Sequence, residues 1–587
     1  MMRQKFSIDA VFDIETTKWT DYVLGAFMDL RKNRVEFYHN ERDLFERILY
    51  FNGSVWGHNA GRFDTLWFLK NLMEHTDIKP QLVERGSSIL ILRIGKMQIV
   101  DSMGLIPFSL RKAATIVGSE KLDMDYQAIK PWNDMNVEEK DTLIEYLRRD
   151  VELLAQILKY IQTYARQNGI ALKYTVGSTS WATAQARLGL PKAQWVPHEY
   201  EFVRSGYYGG RCEVFRMEVK NGHRYDRNSS YPASLKTTRL PVGERMLLKD
   251  QKYMSLSFEK YEGIFECTVT MPEMFVPVLP YRVKKRLYFP IGTFRGTWAR
   301  NELIYAIEQG AKIEKIHKAY VWKTNDNIFE EYINWVWDLR KNAESEGMNK
   351  WLKWIANSLT GKFAEKPEKT TVRFVKPESL RACDGGIGEH DGPCPPHKCC
   401  AHRCVGACHS GEILSSDLGI VAQKHYRIPA NAYPHFAAYL TADARISLHK
   451  QLSEGNPIYC DTDSCYKIEN EIADLGDELG QWGYEGKMSD WKALAPKLYR
   501  YHDQDGNEIV RGKGLTGIGW DGITEIEQGK GHEMPERPAT FRTSLRRQLP
   551  LFSTMTMTKH HKKKELIGDR KLEGNVTYPL DAKELKE

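Results

Sequence analysis

A chain of 587 residues is too long for one hydrophobic core; at roughly 100–200 residues per domain it should hold about three or four. With 27 % charged and 11 % aromatic residues it is not a mostly disordered chain, and a formal net charge of +7 suits an anionic partner such as nucleic acid. No stretch of about 18 uncharged apolar residues occurs, and MMRQKFSIDAVFDIE lacks the apolar core of a signal peptide. The expectation is a soluble, cytoplasmic protein without membrane contact.

The first 165 or so residues alternate apolar runs (AVFDI, SVWGHN, ILILRIGKMQIV) with helical patterns, the rhythm of an α/β domain. Asp13 and Glu15 in VFDIETT stand one residue apart at the end of an apolar run, so in a strand they share a face. Asp64 follows Phe63 in NAGRFDT. Asp150 follows Tyr146 by four on a long helix, marked by Leu143, Leu147, Leu154, Ile157, Leu158 and Ile161 and stopped at Gly169. Any one of these acids alone reads as a surface charge or helix cap. Together, four hard oxygen ligands suit Mg2+ or Mn2+. Two such ions about 4 Å apart could cleave a phosphodiester in line, with Tyr146 orienting the water.

From about 200 to 470 the chain reads as a larger α+β unit. GYYGGR at 206–211 carries glycines that allow close backbone approach or make a plain turn. In YDRNSSYP, Asp226 falls at a strand end, and IYCDTDS puts Asp461 and Asp463 across a hairpin tip, a second potential two-metal set. Between them WLKWIANSLTGKF forms a helix with Lys353 and Asn357 one turn apart. APKLYRY follows, and after about 515 a polar, basic tail with KHHKKK reads as a small peripheral subdomain.

Cys212, Cys267, Cys460 and Cys465 are scattered and read as reduced, buried residues. The other six cysteines, Cys383, Cys394, Cys399, Cys400, Cys404 and Cys408, cluster with His390, His397, His402 and His409 within 27 residues. That segment is too poor in apolar residues for its own core, so one structural Zn2+, or two, would supply its folding energy. Spacing does not fix the ligand subset, and a disordered insertion, disulfides or another metal are the alternatives.

DxE, N-x(3)-F-D and Y-x(3)-D, in this order, resemble the exonuclease motifs of DEDD-type proofreading domains, and YDRNSSYP, WLKWIANSLTGKF and IYCDTDS resemble motifs A, B and C of family B DNA polymerases. The order is similar to that of the protein-primed subgroup of phages and linear plasmids. The resemblance implies a multidomain α/β plus α+β fold: an RNase H-like 3′→5′ exonuclease domain (1–170), then a right-hand polymerase. Palm and fingers span 171–470, with insertions of terminal-protein-region type at about 236–330, where GTWARNEL lies, and at about 370–415, where the Cys/His segment lies; 471–587 hold the end of the palm and the thumb.

By the same resemblance Thr16, Asn59, Phe63 and Ser102 hold a single-stranded primer end, and Lys121 in KLDMDY is an exonuclease lysine. Asp226 and Asp463, assisted by Asp461, hold two Mg2+ or Mn2+ ions. Tyr231 stacks under the sugar and excludes a 2′-hydroxyl. Lys341, Lys353 and Asn357 face the incoming nucleotide, as does Thr360, where a tyrosine is usual. Tyr207, Gly209 and Gly210 match a YxGG element on template DNA, and Lys497 and Tyr499 a KxY element on the primer. The asparagine-to-phenylalanine spacing is one residue longer than usual, and Ser230 replaces a leucine.

The implied activity is proofreading, strand-displacing DNA synthesis for a phage or linear mobile element, primed by a terminal protein's hydroxyl, with primer-template DNA and deoxynucleoside triphosphates as partners. The chain would act as a monomer or in a 1:1 complex with terminal protein. The alternatives are a DNA-primed or primer-independent polymerase in replication or repair, and a nucleic-acid-binding scaffold with inactive sites. The full set of seven carboxylates argues against the last.

Overall fold

The apolar run AVFDI becomes the inner strand Ala10–Thr17, in which Ala10, Val11 and Phe12 are fully buried. In this computed structural model, which describes residues 6–249, 251–374, 411–415, 420–515, 517–559 and 566–585, that strand lies third in a seven-stranded mixed sheet. The order is Arg34–Tyr38, Asp21–Asp29, Ala10–Thr17, Ser54–Gly57, Met97–Asp101, Ser88–Ile94, Gln81–Arg85. Ser54–Gly57 runs parallel to both neighbours, and the remaining pairs are antiparallel.

The helix Val137–Gln167 crosses this sheet. A capping box, Asn136 with Glu139, satisfies its first amides, and Gly169 at φ +69° follows its end. The predicted stripe of Leu143, Leu147, Leu154, Ile157, Leu158 and Ile161 is buried, each side chain contributing about 1.5–3 kcal/mol as an upper estimate. Met348, Trp351, Leu352 and Ile355 of the helix Glu346–Phe363 join the same core, and Trp351 Nε1 donates to Leu105 O at 3.1 Å. Two sequence-distant regions are thereby locked together.

The second large sheet is antiparallel, in the order Glu508–Gly512, Leu498–Asp503, Trp482–Ala495, Glu218–Arg227, Ser464–Lys467, Pro457–Asp461, Cys212–Val214. A separate four-stranded sheet (Leu240–Leu248, Lys312–Asp326, Glu262–Met271, Gly292–Ala299) lies where the first insertion is expected. A three-stranded sheet (Glu368–Phe374, Ile420–Tyr426, Gly411–Ser415) flanks the second, and its Val372, Leu414, Ile420 and Ala422 pack on the N-terminal domain. The Cys/His cluster itself lies outside the described residues.

The tail departs from its expected peripheral position. Phe541, Leu545, Leu551 and Phe552 join the N-terminal core, Arg542 forks onto Glu84, and the strands Leu566–Ile567, Arg570–Glu573 and Val576–Pro579 return to the antiparallel sheet, where Arg570 is fully buried. Its polar composition hid these contacts because they are made by a few side chains to partners hundreds of residues away. Among the described residues no helix is long and apolar enough to cross a membrane.

Candidate active sites

Strand alternation aims Asp13 and Glu15 at one face, and Asp150 of the crossing helix meets them: ligand oxygens of these three acids lie within 4.8 Å of one another. Asp64 heads the helix Asp64–His75, and its Oδ1 accepts from Ile14 N at 3.2 Å, beside Asp13. Burial, then repulsion by Asp64, Glu15 and Asp150, pushes the Asp13 carboxyl well above the usual range; burial, against Lys121 and with Asp150 and Asp64, pushes Glu15 up to about 8, and burial with Asp101, against hydrogen bonds from the backbone, pushes Asp64 up to about 7. Burial likewise raises Asp150. Lys121 Nζ bonds Asp150 and lies 4.6 Å from the Tyr146 ring centroid. Burial opposes its charge, but Asp150 and Asp13 prevail and raise its pKa. One lysine cannot neutralise four buried acids, a donor set that fits a divalent cation.

Three neighbours were not foreseen. Tyr126, the last residue of KLDMDY, shares a 2.6 Å hydroxyl contact with Tyr146. Trp19, 46 % exposed, lies edge-on to Phe63 at 5.6 Å, and Phe552 of the tail lies at 5.5 Å on that ring too. Asn59 is exposed at φ +61°, a conformation asparagine tolerates, and Thr16 is half-buried. Ser102 requires a correction. It is fully buried, 2.8 Å from His58 Nδ1, whose Nε2 lies 3.0 Å from Phe108 O. It can orient His58 but presents no surface to a strand.

In the antiparallel sheet, Asp226 pairs in register with Ser464, and Arg227 N donates to Asp463 O at 2.8 Å, which sets Asp226 beside Asp463. The hairpin tip is Thr462 at φ +65°; its N–H donates to Arg211 O at 2.7 Å. Gly210 is required here: a Cβ on it would come within 2.6 Å of Thr462 Oγ1, whereas one on Gly209 would meet nothing. Burial, then Asp463 and Glu485, pushes Asp226 up to about 7 against the pull of Lys353. Burial also raises Asp463, opposed by Lys353 and Lys497. Lys353, exposed on its helix, thus acts on both acids.

Tyr231, half-buried on Ser230–Thr237, has its phenol pushed up to about 12, by burial and then by Tyr207, Asp463 and Asp461, so the structure brings it to the same acids. Asn357 is half-buried one turn beyond Lys353. Thr360 is buried and its hydroxyl has no hydrogen-bond partner. Lys341 pairs with Glu478 at 3.2 Å. Lys497 Nζ sits 2.7 Å from Asp461 Oδ1. Tyr499 is a second correction: it packs among Trp491, Tyr459 and Tyr466, 7 % exposed, with no ring face left for a primer.

Sequence reasoning also missed Arg445. Its guanidinium forks onto Glu302 of GTWARNEL at 2.7 and 2.8 Å and donates to Tyr208 O and Gly209 O at 2.8 and 2.9 Å, fixing the glycine loop. No local motif marks a contact between residues this far apart.

The chain thus combines a mixed sheet carrying a four-acid cluster with a following antiparallel sheet that bears acids at a strand end and a hairpin tip. Residues 120–390 match the family model described as DNA polymerase type B, organellar and viral. A probable DNA polymerase of Podospora anserina is 27 % identical over 436 residues, covering 68 % of this chain and 35 % of that protein, so the chain spans about a third of that relative's length. The DNA-directed DNA polymerase of Enterobacteria phage PRD1 is 24 % identical over 508 residues, covering 81 % and 79 %. Phi29 DNA polymerase, solved with primer-template DNA and incoming nucleotide, superposes with a TM-score of 0.69 at 17 % identity, covering 94 % of this chain and 99 % of that one. Over residues 120–390 the chain is thus similar to the organellar and viral type B DNA polymerases, and over nearly its whole length its fold is like that of phi29 DNA polymerase.

Proposed function

We propose that the chain is a DNA-dependent DNA polymerase with its own 3′→5′ exonuclease, that it starts synthesis on a terminal protein's hydroxyl, and that it displaces the strand ahead. The observation that carries the polymerase reading is the convergence at one sheet end of Asp226 and Asp463, remote in sequence but set side by side by the Asp226–Ser464 register and the Arg227 N to Asp463 O bond, with Lys353 acting on both and Tyr231 close by. The separate acid cluster of the N-terminal domain supports editing. The two insertion sheets, in the places where the protein-primed subgroup carries its terminal-protein-region insertions, support protein priming. A structural Zn2+ in the Cys/His segment remains part of this reading.

Asp226, Asp463 and Asp461 in one site, and Asp13, Glu15, Asp64 and Asp150 in the other, would hold divalent cations, Mg2+ or Mn2+, whose chemistry there would be to acidify an attacking hydroxyl or water and to offset phosphate charge. Lys353 binds triphosphate oxygens as a point charge. Tyr231 blocks the space of a 2′-hydroxyl, so deoxynucleotides are selected. In the nuclease site Tyr146, held by Tyr126, orients the water, and Lys121 holds Asp150 in place.

The test is synthesis on a primed single-stranded circle with Mg2+, beside an unprimed reaction supplied with candidate terminal protein. Extension beyond one circle that Asp463→Ala abolishes and Asp13→Ala retains supports a strand-displacing, editing polymerase. Arrest at the first duplex removes displacement, dependence on an added primer removes protein priming, and the absence of Asp463-dependent synthesis overturns the whole reading.

A further inference from the structure

Four charged side chains outside both acid clusters are buried together: Arg211, Glu213, Asp569 and Arg570, none more than 8 % exposed. Arg211 bonds Glu213, donates to Pro277 O at 2.6 Å, and lies 4.0 Å over the Phe289 ring. Arg570 Nη1 lies 3.6 Å from Glu213 Oε1. Its Nε donates to Thr577 Oγ1, and its Nη2 to Phe275 O and Thr577 O, each at 2.9 Å. Asp569 and Glu213 share a hydrogen bond, and burial and then Glu213 hold the Asp569 carboxyl well above its usual range.

This cluster sits directly behind the Asp461–Asp463 tip. Glu213 is on the edge strand Cys212–Val214, where it pairs with Cys460, and Cys212 pairs with Asp461. Arg211 O accepts the Thr462 N–H that defines the tip. The tail clasps that strand from outside. Thr577 Oγ1 donates to Val214 O at 2.5 Å, Thr577 N to Phe215 O at 2.9 Å, and Met217 N to Asn575 O at 3.0 Å. Gly568 abuts Pro496, next to Lys497, so closely that an added Cβ would lie 2.7 Å from Pro496 Cγ. A burial of this kind is costly unless every member is paired. Removing Arg570 would leave Glu213 answered by Arg211 alone.

We propose that Asp569 and Arg570, in the C-terminal strands, are positioning residues for polymerisation: through Glu213 and Arg211 they set the place of the Asp461–Thr462–Asp463 tip against Asp226. The inference rests on the polymerase reading above. The strands Arg570–Glu573 and Val576–Pro579 are thus a working part of the palm, acting on the polymerase site, whereas the tail's contacts to the N-terminal domain come from its earlier segment around Phe541–Phe552.

The test uses the full chain with Arg570→Met, Thr577→Val, Asp569→Asn and Asp569→Leu, measuring kcat and KM for nucleotide on primer-template, exonuclease rate on single-stranded DNA, and thermal unfolding. Arg570→Met and Asp569→Leu should lower kcat at least about tenfold while KM and the exonuclease rate stay within about twofold. Asp569→Asn, which can still donate to Glu213, should keep kcat within about twofold of wild type. Thr577→Val, the mildest change, guards against misfolding and should lower kcat a few-fold at unchanged exonuclease rate. Parallel loss of both activities with unfolding temperature in all variants, or full kcat in Arg570→Met and Thr577→Val, overturns the proposal. A wild-type chain without primer extension instead overturns the polymerase reading on which it rests.

Discussion

The two acid clusters solve one electrostatic problem differently. In the nuclease domain three acid oxygens already converge within 4.8 Å, and the nearby lysine, Lys121, is itself buried and fixed on Asp150. In the palm no such convergence exists among the described residues. Lys353 and Lys497 come from a separate helix and a neighbouring strand end, both partly exposed, and Lys497 is spent on Asp461. The nuclease site is preorganised. The polymerase site is left to be completed by its substrate, whose phosphates can draw Lys353 and release Asp461.

The strongest way to break this comparison is to remove one acid from each cluster. Asp463→Ala should cut nucleotide incorporation by at least about 100-fold, with exonuclease rate unchanged, and Asp13→Ala should do the reverse. Radiolabelled primer extension and degradation, measured on the same preparations, decide it. Loss of both activities in either variant would mean that the sites are coupled through the shared core around Trp351.

A smaller effect separates fixed from mobile lysines. Lys121→Met should lower exonuclease rate by roughly 10–100-fold, because it frees Asp150 and removes the cation over Tyr146. Polymerisation should not change. Equal loss of synthesis would contradict the separation of the sites.

The pH dependence follows from protons and cations competing for the same oxygens. Without a cation Glu15 is pushed up to about 8 and Asp64 up to about 7, so both hold protons at pH 6, and by pH 8 Asp64 has released most of its own and Glu15 about half. The Mg2+ concentration that half-saturates exonuclease activity should therefore fall several-fold between pH 6 and pH 8. The sign for stability is opposite: these pKa values lie above those of the unfolded chain, so the cation-free protein loses stability as pH rises through them. Melting in chelator at pH 6 and 8, with and without restored Mg2+, checks both. A flat profile would show that a cation is not what these acids await.

Much of both sites was legible because carboxylates at fixed spacing on a strand, helix or hairpin tip are local signals: Asp13 and Glu15, Tyr146 and Asp150, Asp461 and Asp463. The seven-stranded sheet and its crossing helix were legible for the same reason, through apolar period. Arg211, Arg445 and Arg570 were not, since each acts through partners more than 60 residues away, such as Pro277, Glu302 and Phe275. Ser102 and Tyr499 were misplaced because a motif gives a residue's neighbours in sequence, not the side of the strand on which burial puts it.

Thr360 offers the finest distinction between the regions. It stands in the polymerase helix with its hydroxyl buried and unpartnered, and a buried group that has given up water without gaining a partner is a cost. Valine has nearly the same shape without the hydroxyl. If the hydroxyl is idle, Thr360→Val should raise stability by about 1 kcal/mol, read as a higher denaturant midpoint at unchanged slope, and leave base selection alone. If instead it waits for the nascent base pair, the gain in stability should come with altered misincorporation on primer-template. That outcome would extend to base choice what the exposed Lys353 suggests for charge, namely that this helix holds groups in reserve for a substrate.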